Sequence, residues 1–110
     1  MDDGRLPTHL WVGATLRQLS MEAVPAFVLQ KGDANGGSVL LKLNMLDNGC
    51  RVLTQARDLD GKLGWMSVFR EDVVDEAKAD DYIERARQRD PDLWVIEVED
   101  RQGRNPFDRE

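Results

Sequence analysis

The chain has 110 residues, 41% of them hydrophobic, and carries 15 basic against 21 acidic side chains for a net charge of -6. That length closes one core without metals or disulfides, and the negative field disfavours nucleic-acid backbones and anionic membrane surfaces as partners. The lone Cys50 has no disulfide partner, the N-terminus begins acidic where a secretory signal begins basic, and no apolar run nears the roughly 20 residues of a membrane span. A cytoplasmic protein without membrane association is expected.

Thr8 follows Pro7 and precedes Leu10, Trp11, Ala14, Leu16 and Leu19, a spacing that predicts a helix over residues 8–22 with the Thr8 hydroxyl as its cap. The adjacent Trp11 and Val12 leave a short strand at its start as the alternative. After Pro25, "AFVLQ" places four apolar residues in a row and reads as a central strand covered on both faces. "KGDANGGSVL" then packs three glycines ahead of "SVLLKLNML", whose period is two. A phosphate cradle would open a helix, and the spacing fits neither a dinucleotide loop nor a P-loop, so a hairpin turn is expected here.

"DNG" at residues 47–49 turns into "CRVLTQAR", and "DLDGK" turns again into "LGWMSVF", giving a third and a fourth strand. From Asp75 the period changes: Ala79, Tyr82, Ile83 and Ala86 share a helical face, Asp75 caps it, Arg85, Arg87 and Arg89 fill its end, and Pro91 stops it. "LWVIEV" is a fifth strand, and residues 101–110 read as a polar C-terminal tail after a single domain over residues 1–100. The succession of helix, four-strand meander, helix and strand specifies an α+β fold, a single mainly antiparallel five-stranded sheet with two helices packed on one face. The fifth strand can lie beside the fourth in parallel or beside the first in antiparallel, and the second placement is favoured because "AFVL" is too apolar for an edge, giving the order five, one, two, three, four.

No constellation carries recognisable chemistry. "DLDGK" lacks the sixth-position glycine and twelfth-position glutamate of a calcium loop, and one histidine with one cysteine cannot build a zinc site. Pairs of His9 with Cys50, Ser20, Ser38 or Ser67 are the only nucleophile-base options; Cys50 reads better as a buried small hydrophobe. Neighbouring acids, Asp80 with Asp81 and Glu99 with Asp100, should point apart. No catalytic residue, cofactor or metal ligand is therefore assigned, though a carboxylate-only magnesium or manganese site stays open.

A surface remains. Lys42, Asn44, Arg51, Gln55 and Arg57 are expected on one open side of two adjoining strands, with Leu40, Leu46 and Leu53 among them. The set Lys42, Asn44, Arg51, Leu53, Gln55 and Arg57 thus marks a partner-binding face on a protein-binding or adaptor module, which could also use an edge strand or pair with its own copy. The alternatives are a small-molecule or carboxylate-metal enzyme and a single-stranded nucleic-acid binder.

Taken as phrases, "THLWVGATLRQL", "VPAFVLQKGDANGGSVLLKLN" and "RDPDLWVIEVEDR" resemble a family of small alphaproteobacterial proteins catalogued as domain of unknown function 1491. The resemblance implies a bacterial cytosolic single-domain protein and brings no activity, cofactor or site residue with it.

Overall fold

A computed structural model describes residues 7–108; the acidic start at residues 1–6 and the last two residues of the expected tail lie outside them. The elements are α1 (Thr8–Met21), β1 (Ala26–Gln30), β2 (Val39–Asn44), β3 (Cys50–Arg57), β4 (Leu63–Ser67), α2 (Glu76–Arg89) and β5 (Trp94–Glu99). The α+β class, the five strands and the two helices are as the periodicities specify. Four details differ.

First, the sheet order is β1-β5-β2-β3-β4, so β5 lies between β1 and β2, antiparallel to β1 and parallel to β2. β1 is consequently an edge and not a central strand. The glycine stretch is no hairpin either, because it carries the chain from β1 across the start of β5 to β2. Asp33 N–H donates to Asp92 O, Trp94 N–H to Ser38 O, and the Trp94 indole Nε1 to Asp33 O at 2.8 Å. A Cβ at Gly32 or Gly37 would run into the Asp92 carbonyl oxygen, so glycine is required where the two backbones touch.

Second, the helices cover opposite faces. Val12 and Leu19 of α1 pack with Val39, Leu41, Leu43, Leu53, Trp94, Ile96 and Val98. Ala79, Ile83 and Ala86 of α2 pack with Leu40, Cys50, Val52 and Val95. The physical reason is β2, which is buried on both faces and so needs a cover on each.

Third, the expected tail folds back. Phe107 is buried against Trp11 and Trp65, with ring centroids 5.8 and 6.2 Å apart, and Arg51 Nη1 donates to Gly103 O at 2.7 Å. The buried Phe107 ring gives this polar segment an apolar anchor.

The start of α1 also differs in detail. Pro7 occupies the cap position, while the Thr8 hydroxyl donates to Gly37 O at 3.0 Å. At α2 the expected cap is present, the Asp75 carboxylate accepting from Lys78 N–H at 2.8 Å.

Candidate protein interface

The six residues expected to share one face are divided by the strand register. Lys42 pairs with Val52 and Asn44 with Cys50, which puts both on the α2 side. Arg51 pairs with Leu43 and Leu53 with Leu41, so Arg51, Leu53, Gln55 and Arg57 belong to the α1 side. Each is also engaged internally: Leu53 is core, Gln55 Oε1 accepts from Val39 N–H, Arg51 Nε reaches Asp72, and Arg57 Nη1 donates to Gly61 O. They do not form one patch.

Lys42 is 2% exposed. Its ammonium meets Glu76 at 2.8 Å, Asp80 at 2.7 Å and Glu97 at 3.7 Å, and Asn44 Nδ2 donates to Glu97 at 2.9 Å. Burial alone would lower the Lys42 pKa, but the hydrogen bonds to Asp80 and Glu76 and the Glu97 charge outweigh it and raise the value above that of an ordinary lysine. The nitrogen is a held cation, not a nucleophile. Burial likewise pushes the Cys50 thiol up, which keeps it in the unreactive neutral form. Asp80 turns to Lys42 and Asp81 to Arg85, so the neighbouring acids do point apart.

The glycine loop has its Asp33, Asn35, Gly36 and Gly37 N–H donors spoken for. The Asp33 carboxylate accepts from the Asn35 and Gly36 N–H groups, and the first N–H groups of α1, at Thr8 and His9, donate to Asn35 O and Ala34 O. The loop's own carbonyls occupy the helix terminus that a phosphate would need.

What stays open is β1. Phe27, Val28 and Leu29 are 48%, 44% and 37% exposed, on an edge that is unpaired among the described residues and has no charged residue or internal proline. Glu99 N–H donates to Pro25 O, and the alternation of an antiparallel ladder then turns Phe27 toward β5 and directs the N–H and C=O of Ala26 and Val28 outward. A register shift at Leu29 bulges the strand at its far end, where Gln30 is tied to the Asp90 and Leu93 carbonyls.

α1 places this edge. It ends with Ala23 in the left-handed conformation, φ 60°, with Val24 N–H returning to Leu19 O and Ala23 N–H to Ser20 O. The chain then turns into β1 at Pro25. Between helix end and strand lies a groove of about 410 Å³ lined by Leu16, Ser20, Ala23, Val24, Pro25, Ala26, Phe27 and Val28. Sequence reasoning missed it by reading four apolar residues in a row as buried. The signal that could have found it is the apolar content of "LWVIEV", five residues in six, which competes for the central place.

Among the described residues no helix is long and apolar enough to cross a membrane. A family model described as "Protein of unknown function (DUF1491)" matches residues 6–108. A crystal structure of a DUF1491 family protein from Caulobacter crescentus is 40% identical, with a TM-score of 0.80 over 93% of this chain and 94% of that one. An NMR structure of a DUF1491 family protein from the same organism, also 40% identical, has a TM-score of 0.78 over 96% and 94%. Protein Atu0922 from A. tumefaciens, at 22% identity and a TM-score of 0.69 over 87% and 86%, shares the fold. No curated protein matches the chain.

Proposed function

The chain belongs to the DUF1491 family, and from that premise we propose that it is a protein-binding module that engages an extended segment along β1. One observation carries the reading: three exposed apolar residues lie on a strand edge unpaired among the described residues, with its outward N–H and C=O groups at Ala26 and Val28. Backbone pairing would supply affinity and the adjoining groove side-chain selection. A partner with a hydrophobic residue for that groove would remove Val28 and Val24 from water. The cytoplasm suits this role, since the free Cys50 is buried and unpaired.

Val28→Pro tests it. Proline removes an outward N–H while leaving the β5 ladder intact, so a thermal melt should move little. A protein captured by the wild type and by Arg51→Glu/Arg57→Glu, yet lost from Val28→Pro, is the expected result. Loss from the arginine variant, with its melting temperature unchanged and with retention by Val28→Pro, would instead return the site to the sheet.

A further inference from the structure

Resting on the reading of β1 as the docking edge, we infer that its partner is an extended segment alternating basic and apolar residues, with the basic side chain opposite Phe27. A strand added to β1 meets two different surroundings on its two sides. On the α1 side, Ala26 and Val28 continue into the groove walled by Leu16, Val24 and Pro25, which takes apolar side chains. On the α2 side, Phe27 pairs with Glu97, whose carboxylate meets Asn44 and Lys42, and Lys42 in turn holds Glu76 and Asp80. Three carboxylates against one ammonium leave that cluster with two negative charges in excess, and the Glu76 and Asp80 side chains are 55% and 56% exposed.

A lysine or arginine across from Phe27 would lay its aliphatic stem on the exposed ring and carry its charge toward Glu97 and Glu76. Farther along β1 the preference ends, because Arg87 Nε donates there to Gln30 Oε1 and brings a cation of its own. A second copy of this chain is the poorer occupant: it presents an uncharged "AFVLQ" and the same -6 net charge.

The test uses the full chain and three labelled peptides of one design, alternating Arg-Val, Gln-Val and Glu-Val, followed by fluorescence anisotropy. The Arg-Val peptide should bind about tenfold more tightly than Gln-Val at low salt, with the margin shrinking as salt rises. Glu76→Gln and Phe27→Ala should each reduce that margin, and Val28→Pro, whose net charge is unchanged, should bind neither peptide. Thermal melts of all three variants confirm folding. Equal binding of Arg-Val and Gln-Val, both lost in Val28→Pro, would overturn the basic preference and leave the docking edge standing. Binding of no peptide, or undiminished binding to Val28→Pro, would overturn the edge reading with it. A dimer by sedimentation that Val28→Pro dissolves would keep the edge and replace the basic segment with a second copy.

Discussion

Leu41 and Lys42 are neighbours on β2, both buried, and they serve two different interiors. Leu41 looks into the α1 side, where Trp11, Trp65 and Phe107 close the space beyond the helix. Lys42 looks into the α2 side, where small residues bring the helix close and an ionic cluster joins its first turns to the sheet. The difference teaches that one sheet can be sealed by shape on one side and oriented by charge on the other. Apolar packing is non-directional and gives the larger stabilisation. A buried ion pair adds little net energy but is costly to break, and so it suits fixing a helix in position.

Substitutions at these positions should separate the two interiors. Leu41→Ala is expected to cost about 3 to 4 kcal/mol in urea denaturation, with no dependence on salt. Lys42→Ala should cost about 2 to 3 kcal/mol, less than a fully enclosed pair because Glu76 and Asp80 can rehydrate. Lys42→Met with Glu76→Gln, Asp80→Asn and Glu97→Gln should recover most of that loss. If Lys42→Ala proves as harmless as a surface change, the ionic cluster does not hold α2.

Asp75→Ala, which removes the cap of α2, should cost about 1 kcal/mol by the same measurement. The smallest change is expected from Asp100→Asn, since its partner Arg104 is largely exposed. The Arg104 hydrogen bond holds the Asp100 carboxyl below the usual range, against the opposing effect of burial. Its contribution is therefore present above the unfolded pKa of about 3.9 and lost as pH falls through the lower folded value. A pH series of melting temperatures should decline less below pH 4 in the asparagine variant than in the wild type.

How much of this was legible follows from where each determinant lies. The helices, the β2–β3 hairpin and the Asp75 cap are written in local spacing, and local spacing recovers them. The covering of both faces was hidden because Lys42 reads as a solvent-facing residue, whereas three carboxylates from α2 and β5 make its burial tolerable. Strand order was hidden because its determinants are contacts between distant segments, such as Trp94 with Asp33, 61 residues apart. The expected basic face failed on one step of register, which sends Lys42 and Arg51 to opposite sides. The open edge was misjudged for the opposite reason: exposed apolar residues look like core until something else occupies the core.

The insertion of β5 between β1 and β2 has a temporal side as well. On a ribosome β1 emerges early, yet its one sheet neighbour among the described residues, Trp94–Glu99, is synthesised after every other described strand. β2, β3 and β4 can assemble by short-range closure, while "AFVLQ" waits uncovered until nearly the whole described chain exists. Throughout that interval the segment is exposed to misassociation with neighbouring nascent chains, and a chain interrupted before β5 would leave both β1 and β2 open. Premature termination should thus yield aggregates seeded by these two strands and not a smaller version of the fold.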